Sequence, residues 1–271
     1  MVNTLHLSDS SISQLIPVPA LNDNYIWMVC KGQHAVVIDP GVAAPVQAIL
    51  DQHSLTLDAI LLTHHHGDHV GGVTALQQRN GGVVYGPATE TLPVCDIRVT
   101  EGDTVSLPNV GLHLQVIDIP GHTAGHVAYH GTLDGNPPLV FCGDTLFAAG
   151  CGRLFEGTPE QMTASLAKLA ALPLDTLICC AHEYTLANLR WAMQVEPDNT
   201  ALQKQWLSAS QLRANHQPTL PTTLTTELAT NPFLRTTAAP VVAAATAYAA
   251  RPLDSSVAVF ASLREWKNNF K

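Results

Sequence analysis

The chain has 271 residues, enough for one large domain or two modest ones with a full core, so it needs no staples to fold. Its net charge of −9 and the lack of any Lys/Arg run exclude a general attraction to nucleic acid or anionic lipid. Only 13% of residues are charged, so Thr, Gln, Asn and Ser must cover much of the surface and each basic residue stands out.

The first fourteen residues lack a basic region followed by an apolar stretch, so they do not read as a secretion signal and the expected compartment is the cytoplasm. Ala35-Val36-Val37-Ile38 reads as a strand closed by the turn residues Asp39-Pro40-Gly41. A second apolar run, residues 58–62, leads into Thr63-His64-His65-His66-Gly67-Asp68-His69. Imidazoles and a carboxylate without paired cysteines suit a catalytic site for zinc, iron or manganese better than a structural zinc site. In an extended chain His64, His66 and Asp68 share a face and His65 points away, so the chain must curl around an ion. Gly67 is expected to supply a positive φ for that curl. Val70, Val73 and Leu76 follow at helical spacing, which sets Asp68 and His69 near a helix N-terminus whose dipole favours a carboxylate.

Val83-Val84-Tyr85, after Gly81-Gly82, reads as another strand. Three further apolar segments then end in polar residues of the same kind. Residues 112–119 lead to Pro120-Gly121-His122-Thr123, residues 139–142 to Gly143-Asp144-Thr145, and residues 177–181 to His182-Glu183-Tyr184. Alone, His122 and His182 would read as structural and Asp144 as a turn residue. Beside the histidine-rich heptad they read as side chains delivered from strand ends to one rim, where open α/β sheets place their chemistry. Residues 159–171 form a helix whose Pro159 and Glu160 suit its start. From Tyr184 onward helical patterns dominate, over 184–195, 200–216 and 257–270, with a Pro/Thr-rich connection at 218–221. The Ala/Val-rich stretch 241–250 is too short to span a bilayer. Cys179 and Cys180 are adjacent in an apolar run and no Cys-x-x-Cys occurs, so the six cysteines are expected to be reduced thiols.

These motifs carry a resemblance that covers nearly the whole chain. His64-x-His66-x-Asp68-His69, Asn22-Asp23-Asn24-Tyr25, residues 120–126, residues 143–147, Gly150-Cys151-Gly152-Arg153, residues 182–185 and Asn231-Pro232-Phe233 resemble the glyoxalase II (hydroxyacylglutathione hydrolase) family of the metallo-β-lactamase superfamily. The resemblance implies an αββα sandwich over residues 1–182 and a smaller C-terminal α-helical domain over 183–271 that binds glutathione. It implies a first metal on His64, His66 and His122, and a second on Asp68, His69 and His182, with Asp144 bridging. Two divalent ions are expected, zinc in the first place and iron or manganese as alternatives, with catalytic roles for Asp68 and Asp144.

Matched family positions assign Arg153, Tyr184, Asn188, Arg264 and Lys267 to the substrate. On a helix, Arg264 and Lys267 share a face, as do Tyr184 and Asn188. Phe155 and Arg153 stand where animal members carry tyrosine and lysine, and Ala181 where many members have glycine. The implied reaction is hydrolysis of S-D-lactoylglutathione to glutathione and D-lactate, the second step of methylglyoxal detoxification, by a monomer that binds neither nucleic acid nor membrane. A persulfide dioxygenase or another hydrolase of this fold is the alternative. His65 and His126 are expected to orient or pack against ligands, and His6, His34, His53, His113, His130 and His216 are given no role.

Overall fold

A computed structural model describes residues 12–134 and 137–270, which leaves His6 and most of the first fourteen residues outside the described chain. Six strands form the first sheet in chain order: β1 (Gln14–Ala20), β2 (Asn24–Lys31), β3 (His34–Ile38), β4 (Thr56–Leu61), β5 (Val83–Pro87) and β6 (Ile97–Val99). From β3 to β6 the pairing is parallel, and β3 and β4 read as nearly continuous apolar runs because both their faces are covered. The period of two is plain in β2. Tyr25, Trp27 and Val29 enter the core between the sheets, while Ile26, Met28 and Cys30 enter a second core. That second core is closed by Val46, Ile49 and Leu50 of α1 (Ala44–His53) and by Val73 and Leu76 of a later helix.

The apolar spacing of Val70, Val73 and Leu76 predicts one helix, but the chain forms two, α2 (Gly67–Val70) and α3 (Val73–Asn80). Gly71-Gly72 interrupts them, and a Cβ at Gly72 would overlap the backbone of residues 40–43.

The second sheet runs β14-β13-β10-β9-β8-β7. It comprises β7 (Thr104–Leu107), β8 (Leu112–Asp118), β9 (Val127–Leu133), β10 (Leu139–Gly143), β13 (Leu177–Cys180) and β14 (Thr222–Thr223), and a small hairpin of β11 (Leu146–Phe147) and β12 (Gly150–Cys151) follows β10. Met162, Leu166 and Leu169 of α4 (Pro159–Ala170) pack into the same core, which completes the αββα layering. The expected start of α4 is sealed by a capping box between Thr158 and Gln161.

The remaining chain is helical: α5 (Thr185–Val195), α6 (Thr200–Ala214), α7 (Leu224–Thr230), α8 (Ala239–Ala249) and α9 (Ser256–Asn269). This region packs closely against the sandwich. Trp191, Phe260 and Leu263 are part of the same contiguous hydrophobic cluster as the residues between the sheets, Trp191 stacks on Phe233 at 5.0 Å, and β14 extends the second sheet. Among the described residues no helix is long and apolar enough to cross a membrane, and all six cysteines are free thiols.

Candidate metal centre and substrate cleft

Four strands end on one rim, as their sequences predict. From β4 come residues 63–69, from β8 His122, from β10 Asp144 and from β13 His182. The heptad does not curl at Gly67, which lies in α2 without a positive φ. The turn is made by the helix itself: His66 is its extended N-cap, and one helical turn returns His69 to within 4.1 Å of the His64 ring. A left-handed residue does support the site from outside. Asp39 has φ +53°, and its carboxylate accepts from Thr63 N at 2.8 Å and Thr63 Oγ1 at 2.7 Å.

The seven expected metal-site residues form two groups. In one, His66 Nδ1 lies 3.2 Å from His64 Nε2 and 3.0 Å from His122 Nε2. In the other, Asp68 Oδ2 lies 3.5 Å from both His69 Nε2 and His182 Nε2. Asp144 sits between them. Its Oδ2 is 3.4 Å from His122 Nε2, and its Oδ1 is 3.4 Å from His69 Nε2 and 3.3 Å from His182 Nε2.

Hydrogen bonds behind the rings leave the inward nitrogens free to ligate. His69 Nδ1–H donates to Asp39 Oδ2 (3.1 Å), His182 Nδ1–H to Asp23 Oδ1 (2.8 Å) and His122 Nδ1–H to the Arg153 carbonyl (2.8 Å). His64 Nδ1–H donates to Thr63 Oγ1 at 3.0 Å, whose own proton goes to Asp39. Each Nε2 then presents a lone pair to the centre, in the ring orientation that outer hydrogen bonds impose on metal-binding histidines. Burial, reinforced by neighbouring imidazoles, pushes the His64 pKa well down. Burial also pushes the Asp144 carboxyl up, but His69, His182 and His122 together hold it below the usual carboxylate range. His69 Nε2 and Asp144 Oδ1 are buried without a hydrogen-bond partner, an arrangement that costs free energy unless a cation completes it. The donor set and these two orphaned atoms fit divalent ions.

His126 and His65 lie just outside the two groups. His126 stacks on His64 at 4.5 Å and accepts from Asp144 N at 3.1 Å, whereas His65 is bound by Glu90 and Glu156. Glu90 also accepts from Thr123 Oγ1 and Gly125 N, so one buried carboxylate ties the heptad to the His122 loop. Asp39, Asp23 and Glu90 escaped sequence reasoning. Asp39 carried a usable signal, since it too stands directly beyond an apolar strand. Replacing Asp39 by Asn is expected to weaken metal binding at the Asp68–His69–His182 group by about 10- to 100-fold. Titration against a competing chelator measures this, and unchanged affinity would argue against the role of the Asp39–His69 pair.

A cleft of about 470 Å³ opens beside His122 and Asp144. Arg153, Tyr184, Asn188, Arg264 and Lys267 all line it, so the expected substrate residues are brought together next to the metal groups. They are not equally free. Asn188 Nδ2 donates to the Ala148 carbonyl at 3.0 Å, and Arg264 Nη1 donates to the Cys151 carbonyl at 2.7 Å with its guanidinium over Phe233. Tyr184 stacks on His182 at 4.7 Å. Burial, with Arg264, Arg190 and Arg153 nearby, pulls the Lys267 pKa down to about 8. That concentration of positive charge in an acidic protein suits an anionic ligand.

Residues 21–182 match the family model described as metallo-beta-lactamase superfamily, and residues 183–270 match the one described as hydroxyacylglutathione hydrolase C-terminus. A hydroxyacylglutathione hydrolase of Albidiferax ferrireducens is 56% identical over 257 residues, covering 95% of this chain and 100% of the relative. Another, of Nitrosomonas eutropha, is 51% identical over 257 residues, covering 95% and 99%. Among solved structures, BLEG-1 B3 metallo-beta-lactamase shares the fold, with a TM-score of 0.60 at 24% identity over 82% of this chain and 99% of that one.

Proposed function

The chain belongs to the hydroxyacylglutathione hydrolase family of the metallo-β-lactamase superfamily, and we propose that its two side-chain groups hold a pair of divalent ions, zinc foremost, with iron or manganese able to replace it. It is a metal-dependent hydrolase that cleaves the thioester of S-(2-hydroxyacyl)glutathione. With S-D-lactoylglutathione the products are glutathione and D-lactate, the second step of methylglyoxal detoxification. The persulfide dioxygenase alternative is set aside, because the hydroxyacylglutathione hydrolase C-terminal match includes Tyr184, Asn188, Arg264 and Lys267 of the cleft wall.

In this reading His64, His66 and His122 hold the first ion and Asp68, His69 and His182 the second. Asp144 serves both, and the observation that carries this is its placement, with one oxygen turned to each group. Such ions supply Lewis acidity toward the thioester carbonyl and acidify water toward neutrality. Asp68, whose Oδ2 accepts from Asn24 Nδ2 at 3.1 Å, would hold the second ion and steady the proton of a water there. The leaving thiolate has a pKa of about 8.5, so it departs without a general acid.

Residues 1–182 form the catalytic domain of this proposal and 183–271 the glutathione-binding domain. Arg153 and Lys267 attract the glutathione carboxylates, while Tyr184, Asn188 and Arg264 shape the wall of the cleft. We infer a monomer in the cytoplasm; six free thiols suit a reducing compartment, and the net charge disfavours nucleic acid and anionic lipid.

Comparing S-D-lactoylglutathione with a thioester lacking the tripeptide tests the substrate class, and the proposal requires strong preference for the glutathione conjugate. Lys267→Ala is expected to raise KM by about 10- to 100-fold and leave kcat within about threefold, the scale of one charge-assisted contact made equally in ground and transition states. Because Lys267 loses its proton as pH rises through about 8, the wild-type KM should climb above that pH and the variant's should not. A KM profile shared by both proteins would remove Lys267 from substrate binding.

A further inference from the structure

Asn231-Pro232-Phe233 stands out in the sequence, yet none of its residues lines the cleft beside the metal groups. Its place in the fold is at the hairpin β11–β12, which follows Asp144 in the chain and lines that cleft with Phe147 and Cys151. Asn231 is fully buried, and its Nδ2 donates to the carbonyls of Phe147 (3.1 Å) and Gly150 (2.9 Å) and to Glu227 Oε2 (3.1 Å). Glu227, also fully buried, accepts from Ala149 N at 2.7 Å and from Thr222 Oγ1 at 2.9 Å. Ala149 is held at φ +54°, a left-handed conformation that a side-chain-bearing residue rarely adopts unaided. The hairpin tip is therefore held in its shape by two side chains from the helical region.

The same hairpin leads directly to the metal groups. Phe147 packs edge-on against His182, with ring centroids 5.8 Å apart. Gly152 N donates to the Thr145 carbonyl at 3.1 Å, and a Cβ on Gly152 would strike the Asp144 carbonyl. The next carbonyl, of Arg153, takes the Nδ1 proton of His122 at 2.8 Å. Three of the seven metal-site residues thus lean on a segment that Asn231 and Glu227 fix from behind.

We propose that Asn231 and Glu227 are positioning residues that act through the Leu146–Cys151 hairpin to set His122, Asp144 and His182. The helical region then shapes the catalytic centre as well as receiving substrate. This rests on the metal-dependent hydrolysis assigned above. Asn231→Ala and Glu227→Met, measured in the full-length chain, are expected to lower kcat by about 10- to 100-fold, the scale of an ångström-sized displacement at a reacting centre, whereas Glu227→Gln, which keeps an acceptor for Ala149 N–H, should retain most of it. The loss should be similar for S-D-lactoylglutathione and for S-lactoyl-N-acetylcysteamine, which lacks the tripeptide. The visible absorption of the cobalt-loaded variants should differ from that of the cobalt-loaded wild type.

A loss confined to KM for the glutathione substrate, with an unaltered cobalt spectrum, would overturn the proposal. If Asn231→Ala fails to fold, Glu227→Met decides, because it fills the same buried space while removing the acceptor for Ala149 N–H. Wild-type protein inactive on both thioesters would sink the functional reading instead, and the cobalt spectra would still decide the positioning role.

Discussion

Asp144→Asn is expected to lower kcat by about a thousandfold, with KM for the thioester changed by no more than about threefold. Asp144 turns one oxygen to each of the two groups, and it is buried there with His69, His122 and His182 around it. An amide in its place removes one negative charge and turns an NH₂ toward one of the groups, where it repels a cation and cannot ligate. Metal content should fall below two equivalents per chain in the same preparation. A variant with two tightly held ions and undiminished kcat would remove Asp144 from the centre.

Stripping the protein of metal is expected to abolish hydrolysis and to lower the melting temperature by several degrees or more. Ions present at about a thousand times their dissociation constant stabilise the folded state by about 4 kcal/mol, and that contribution disappears on chelation. In the stripped protein His69 Nε2 and Asp144 Oδ1 are left unpartnered in the interior. Burial opposes a charge on His69, but Asp144, Asp39 and Asp68 outweigh it and raise its pKa to about 9. The empty centre therefore holds a proton that an incoming ion must displace, so reloading should weaken steadily as the pH falls below about 9. Calorimetry with and without chelator checks the stability change, and equal melting temperatures in both would contradict it.

Much of the centre is legible in the sequence because the proposed ligands stand where strands end. Seven residues, 63–69, are too dense in imidazole for another reading, and His122, Asp144 and His182 each follow an apolar run of strand length. The geometry of the curl is less legible. Gly67 invites a positive φ, but the helical turn it begins is what returns His69 to His64, and the break in the apolar helix falls at Gly71-Gly72 instead. Asp39 was hidden by its surroundings, since Asp before Pro-Gly is ordinary turn chemistry. Its role depends on Thr63 and His69, which are 24 and 30 positions away.

Tertiary partners account for the other differences. Arg264 and Lys267 share a helical face as spacing predicts, yet Arg264 is bound to the Cys151 carbonyl, a contact 113 positions distant. The strands β11, β12 and β14 have two residues each, too short for any periodicity to announce. They matter all the same, because they join the helical region to the sandwich beside the centre.

Titrating metal-depleted protein with zinc while following thioester hydrolysis counts the ions that the reaction needs. Activity on S-D-lactoylglutathione should rise with added zinc and saturate at two ions per chain. Full activity at one ion, or none with both groups loaded, would contradict a centre in which Asp144 joins two ions for hydrolysis.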